Sequence, residues 1–378
     1  MAIIPVASGQ SIQAAVDAAS PGDTILVEPG VYAAGIVVTE PNITLRSSEK
    51  WGAVIDGGYA VANGIQAKGD ADGLIVDGFE IRNLREHGNS SSCVELYSAG
   101  RGSKVLDNHL HHVGQNQTSI SNGQSGVVVR QDDVLIEGNY IHDIGRTTSG
   151  DVSRDHGIYA NGGGGGAGLI IRDNYFGENI EHGWGIQLYP GSWDDFSILD
   201  NQFVGGNPDR DNTHIVLNAD LVGEMLGNVF WAAGPSETLH GSGGSWDIDF
   251  AGNVTTGSKW SDDQLAGLNF GAENVLNAQI PKPLPPTADE LPPPALVPPA
   301  LSVGAVTNTA VTLTWPALPV TGYRFYKNGA QVSTGGPLKT SVKFGALPQE
   351  VTVLGVEAVY TDGAALASKT THRNRVVE

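Results

Sequence analysis

Residues 104–113, KVLDNHLHHV, and 134–144, VLIEGNYIHDI, share one pattern: a short apolar run, a turn ending in Asn, then a second apolar run. The pattern returns at 169–179 (LIIRDNYFGEN), 197–206 (SILDNQFVGG), 224–230 (EMLGNVF) and 249–254 (DFAGNV). One position is Asn each time, at Asn108, Asn139, Asn174, Asn201, Asn228 and Asn253, with spacings of 31, 35, 27, 27 and 25 residues. LIVDGFEIRNL supplies Gly78 one repeat earlier. A period that varies by insertion is what stacked coils allow, because extra residues enter loops while the strands keep register. Between the Asn positions a second strand recurs as CVELY, GVVVR, HGIYA, WGIQLY and HIVLN. Each coil therefore carries at least two short strands separated by Gly and Asn. Stacked inward-pointing amides can hydrogen-bond along the axis, and Asn tolerates the left-handed backbone of a turn, so the column is expected to be structural.

Composition agrees. The chain has 378 residues, 40% of them hydrophobic, and 51 glycines without a G-X-Y period, which excludes collagen and fits many short strands and tight turns. Coiled coils and helical bundles are excluded as well. Acidic residues number 41 against 21 basic, a net charge of −20 that argues against nucleic acid or anionic lipid as a partner. A single cysteine, Cys93, permits neither an internal disulfide nor a Cys-rich zinc site. The opening MAIIPVASGQSIQAAVDAAS lacks a basic n-region, and no stretch approaches the roughly 20 apolar residues of a membrane span. No export signal and no membrane span are expected.

Residues 281–300, PKPLPPTADELPPPALVPPA, hold nine prolines and read as a semi-rigid spacer. Charge divides there: residues 1–280 carry 35 acids and 13 bases, whereas 281–378 carry 6 and 8. Three regions follow, an acidic repeat domain (1–280), a linker (281–300) and a small all-β unit (301–378). The last contains six or seven short strand segments, with Trp315 in an alternating strand and Tyr323 and Tyr326 before an Asn328-Gly329 turn. It resembles a fibronectin type III module, a β-sandwich that binds or spaces.

The repeat region, over roughly residues 8–275, resembles the right-handed parallel β-helix of pectate lyases, bacterial surface proteins and phage tailspikes. Its opening, GQSIQAAVDAASPGDTILVEPGVY, reads as a short amphipathic helix N-capped by Ser11, a turn at Pro21-Gly22-Asp23, and a first coil starting at Thr24–Val27. Such a helix would cover the open end of the solenoid. The resemblance implies an all-β fold, a parallel β-helix followed by a small β-sandwich. Joined to the linker and terminal module, it is similar to minor tail proteins of actinobacterial phages. That similarity implies a virion tail component that binds host cell-surface polysaccharide, contacts other tail proteins and forms a homotrimer. The alternative is a secreted lyase or glycoside hydrolase acting on an acidic polysaccharide.

Aligning Val94, Val127, Ile158, Ile186 and Ile215 as inward residues sends Glu95, Val128, Tyr159, Gln187 and Val216 outward. The next outward row is Tyr97, Arg130, Asn161, Tyr189 and Asn218. With rungs about 4.8 Å apart these rows make a strip of rings, amides and a guanidinium suited to a sugar chain. The segment RTTSGDVSRDHGIYA is expected to carry Asp151, Arg154, Asp155 and His156 to the surface beside the strip. Trp184 takes the place of His156 on the next coil, with His182 just before it. Tyr97, Arg130, Tyr159, Asn161, Trp184, Gln187 and Tyr189 are the expected glycan contacts. If the protein is an enzyme, Asp155, His156 and Arg130 are the candidates for base, acid and carboxylate clamp.

No signature of an enzyme family of this fold is intact. Asp132-Asp133, Asp194-Asp195 and Asp262-Asp263 occur without the other parts of a polygalacturonase-like set. Asp155-His156-Gly157 stands where mannuronan epimerase-like proteins show Asp-Pro-His-Glu, and the clustered acids of calcium-dependent pectate lyases are not found. Strand alternation places His109 and His111 together and His112 opposite, a poor zinc site without a neighbouring carboxylate, so neither metal nor cofactor is expected. GGGGG at 162–166 lacks a phosphate-loop ending and reads as a flexible corner.

Overall fold

A computed structural model describes residues 2–288, apart from 86–88, 98–99, 116, 118–120, 148–152, 179, 181–182, 206–212, 232–237 and 261–266, together with seven strands between Ser302 and His372. Asp151, His182, Asp262, Asp263, Trp315 and the Asn328-Gly329 turn lie outside the described residues.

The chain folds as a parallel β-solenoid with three strand-bearing faces. One coil runs along a first face as Lys104–Leu106, turns at Asp107-Asn108, and crosses a second face as His109–Val113. It then passes through a loop, crosses a third face as Gln124–Val129, and regains the first face at Leu135–Glu137. Successive coils pair in parallel with Val105 opposite Ile136, Leu110 opposite Ile141 and Val127 opposite Ile158. On the third face Val94, Val127, Ile158, Ile186 and Ile215 form one register column, as the alternation predicts. All five are fully buried, each contributing about 1.5–3 kcal/mol of apolar burial. Inside the second face the stack changes from Ile81, Leu110 and Ile141 to Phe176, Phe203 and Phe230, whose rings lie 4.5 and 4.9 Å apart.

The Asn column is a buried amide ladder. Asn139 Oδ1 accepts from the backbone N–H and the Nδ2 of Asn108 at 3.0 and 3.1 Å, while its own Nδ2 donates to Val105 O and Asn174 Oδ1. The pattern repeats through Asn174, Asn201, Asn228 and Asn253 and continues to Asn274. The left-handed turn, however, belongs to the residue before each Asn: Asp107, Gly138, Asp173, Asp200, Gly227 and Gly252 have φ between 52 and 68°. Glycine, or an acid that bonds locally, meets that requirement, which frees the Asn to point inward.

Three local readings change. The solenoid begins one strand before Thr24–Val27, because Ile3–Val6 pairs with it in parallel. The helix Ile12–Ala18 is inserted between these strands, with Ser11 Oγ accepting from Ala14 N at 3.2 Å and Ile12 and Val16 buried in the core. The glycine run lies within one strand, Asp155–Ala167, in which Gly162 and Gly166 pack on the fully buried Trp193 and the exposed Gly163–Gly165 bulge between them. A Cβ at Gly166 would stand 2.6 Å from the indole, so only glycine lets the strand pass this close. Finally, the proline-rich segment starts on the solenoid. Tyr175 Oη donates to Pro283 O at 2.9 Å, and Lys282 pairs with Glu178 above the Trp231 ring.

Two compact units divide the chain, Met1–Leu291 and Pro292–Glu378. In the second, Ser302–Thr307, Ala310–Thr314 and Ser341–Gly345 form one antiparallel sheet. Gly322–Lys327, Ala330–Gly335, Thr352–Val359 and Ala365–His372 form another.

Candidate functional site

The third face is hollowed into a cleft of about 660 Å³, lined by Tyr97, Arg130, Tyr159, Gln187, Tyr189 and His156 together with Asn63, Glu95, Val128, Arg154 and a group of serines. Strand alternation creates this lining. Glu95, Val128, Tyr159 and Gln187 stand in register on four successive coils, one residue after the buried column. Tyr97 and Arg130 continue the surface, with the guanidinium carbon 3.5 Å from the Tyr97 ring centroid. This stacking fixes both side chains while the guanidinium edge keeps its donors for a ligand. Tyr97 and Tyr189 are 47% and 42% exposed, so two flat apolar rings face the solvent side of the cleft.

Glu95 is the one carboxylate among the described lining residues, and its Oε2 is engaged by Asn63 Nδ2 at 3.2 Å and by Gln66 Nε2. His156 lies at the cleft wall, stacked at 5.6 Å on Trp184 and at 5.7 Å on Tyr159. Burial, with the Arg146 charge as a smaller cause, pushes its pKa down to about 3 and keeps the ring neutral. Its Nδ1 has no hydrogen-bond partner among the described residues. Burial also raises the Tyr159 hydroxyl above its ordinary range, with Arg130 opposing. A neutral imidazole, a phenol and two guanidiniums therefore line the same cleft.

Four expected positions differ. Asp155 is not on the surface: it is fully buried, its Oδ1 accepts from Gln124 N and Arg146 Nη2 at 3.1 and 2.7 Å, and its Oδ2 accepts from Arg146 N at 2.9 Å. An ion pair with an equally buried arginine ties the loop to the strand, and it is the loop's way of satisfying its own backbone. Trp184 is 6% exposed and stacks between His156 and His240, so it backs the wall instead of offering a ring. Asn161 is held by local bonds to Gly163 N and the Tyr159 hydroxyl and does not line the cleft. Val216, at the end of its row, is buried. Arg154 lines the cleft from the segment expected beside the strip, whereas the serines and Asn63 have no sequence signal, because short polar residues at a strand's start carry no pattern of their own.

A second cluster lies on the second face. His109 and His111 project from one coil and His142 from the next, with His111 opposite His142 in the register. His112 does not point away: its φ of 55° breaks the alternation and returns its Nδ1 to 2.5 Å from His111 Nδ1. Glu80 from the preceding coil brings a carboxylate oxygen to 3.3 Å from His111 Nε2. The expectation of two imidazoles without a carboxylate is thus corrected, because coil stacking adds neighbours that a single strand does not have.

No protein-family model matches the chain, and no curated protein matches its sequence. Solved structures with a similar fold include the ORF18 protein of Geobacillus virus E2, at 13% identity and a TM-score of 0.47, covering 97% of this chain and 76% of that one. A variant of the PL6 family alginate lyase AlyGC aligns at 14% identity and a TM-score of 0.44, covering 73% of this chain. The present chain spans 40% of the length of that lyase. A mutant tailspike protein of E. coli bacteriophage HK620, in complex with a pentasaccharide, aligns at 11% identity and a TM-score of 0.36, covering 98% and 83%.

Proposed function

We propose that the third-face cleft holds a stretch of host cell-surface polysaccharide and that the protein is an attachment component of a phage tail, with Tyr97, Arg130, Tyr159, Gln187 and Tyr189 as the sugar contacts. The observation that carries this reading is the lining itself: rings, amides and guanidiniums on consecutive coils of one face, with Glu95, the one carboxylate among the described lining residues, already engaged. Aromatic faces take the C–H surfaces of sugars, and Arg130 and Arg154 favour a glycan bearing carboxylates. The C-terminal unit serves as a spacer or second binding module of fibronectin type III kind, a reading supported by its seven strands in two antiparallel sheets. Contacts with other tail proteins and trimer formation belong to the same proposal.

The second reading is a secreted polysaccharide lyase, favoured by the unpartnered Nδ1 of His156 beside Tyr159 and Arg130. β-Elimination needs a base, an acid and a group that neutralises the substrate carboxylate, and these three could serve. A hydrolase is less well supported, since glycoside hydrolysis calls for a carboxylate pair. The test is retention of the intact protein on a panel of uronate-containing and cell-surface glycans, with the supernatants assayed for new unsaturated or reducing ends. Retention without new ends is the expected result. New unsaturated ends that disappear in His156→Ala select the lyase, and retention on no glycan rejects both.

A further inference from the structure

We propose that the second face carries a transition-metal site in which His109, His111 and His142 bind a dication of zinc type. One donor nitrogen from each ring can be chosen so that all three lie within 4.8 Å of one another. His109 Nε2 and His142 Nε2 are already 2.7 Å apart. Ligands at about 2.0–2.1 Å from a tetrahedral zinc stand roughly 3.3 Å apart, so small side-chain rotations would open this pair and draw in the third nitrogen.

The surroundings are those of a ligand set. Asp143 accepts from His142 Nδ1, which fixes the tautomer and leaves Nε2 as the donor to a metal. Glu80 stands at 3.3 Å from His111 Nε2 and pairs with Arg82 through the same oxygen, which suits it to orient His111. Trp51 and Tyr140 flank His109 with ring centroids 4.7 and 4.8 Å away and shield that side from water. Imidazole donors select zinc, cobalt, nickel or copper over magnesium or calcium. Because the ligands come from two coils, the ion would clamp His109–Val113 to Tyr140–Ile144. This site is separate from the cleft and does not depend on the function proposed for it.

The experiment uses the full chain, stripped with a chelator and dialysed, then titrated calorimetrically with ZnCl2, and in parallel with CoCl2 while visible absorption is recorded. One zinc per chain, cobalt bands of a nitrogen-ligated ion and no heat with MgCl2 or CaCl2 are the expected results. His109→Ala and His142→Ala should each weaken zinc binding at least about tenfold, whereas His240→Ala on the third face should not change it. Far-UV circular dichroism in chelator monitors folding, and His142→Gln replaces any alanine variant that misfolds. Absence of zinc binding by the wild type, or undiminished binding by the His109 and His142 variants, overturns the proposal.

Discussion

Asn174→Leu tests the ladder where it is most enclosed. The side chain is 1% exposed, its Oδ1 accepts from Asn139 N at 3.0 Å and Asn139 Nδ2 at 2.9 Å, and its Nδ2 donates to Ile136 O, Arg172 O and Asn201 Oδ1. Leucine fills nearly the same space, so little cavity term enters. What changes is that Asn139 N loses its acceptor in a site without water access, and Asn139 Nδ2 keeps only Val105 O and Glu137 O. One buried backbone donor left unsatisfied costs about 1–3 kcal/mol, and the remaining lost bonds add roughly 1 kcal/mol, giving about 2–4 kcal/mol in all. Asn274→Leu at the end of the ladder should cost less, because Asn274 itself is only half-buried, so water can reach the donors that its side chain leaves. Urea unfolding followed by tryptophan fluorescence measures both. A loss below about 0.5 kcal/mol for Asn174→Leu, or equal losses at both positions, refutes a ladder whose strength comes from burial.

Three further outcomes follow from the same geometry. Gly166→Ala should destabilise by about 1–3 kcal/mol through overlap with Trp193, whereas Gly164→Ala, with nothing within 4 Å of its new Cβ, should stay within about 0.5 kcal/mol in the same unfolding assay. Asp155→Asn should cost about 3–5 kcal/mol in chemical denaturation, because it leaves Arg146 charged and unmatched inside the protein. His214 is buried against Phe203 and Phe230, and desolvation lowers its pKa from 6.5 to about 4. The unfolded chain then binds the extra proton between these values, so wild-type stability should fall as pH drops from about 6.5 to about 4. His214→Leu should show a flatter melting-temperature profile across that window, and a parallel profile would count against the assignment.

What could be read from the sequence was periodic. Val94, Val127, Ile158, Ile186 and Ile215 reveal their register because period-two alternation and a constant flanking pattern survive every insertion. The Asn column is equally visible, although the left-handed turn sits on the preceding Asp or Gly. Two further signals lie in the sequence: stacking DNHLHHV over GNYIHDI sets His111 above His142, and the recurrent Asp-Asn and Gly-Asn pairs mark the turn. Other features have no periodic trace. Asp155 is buried because Arg146, nine residues earlier across an insertion, returns to meet it. Gly162 and Gly166 are required by Trp193 on the following coil, a neighbour that the run itself does not announce. Trp184 is covered by His240 from a later coil, a neighbour that no local reading of WGIQLY supplies.

The most direct test of the central claim is calorimetric titration of the glycan retained by the wild type into a Tyr97→Ala/Tyr189→Ala variant. These are the exposed rings of the cleft, and neither is part of the core, so the fold should persist. Loss of two stacking surfaces should weaken binding by at least about tenfold, while Tyr140→Ala on the second face leaves it unchanged. Undiminished binding by the double variant, or an equal loss in Tyr140→Ala, would contradict a glycan site in the third-face cleft.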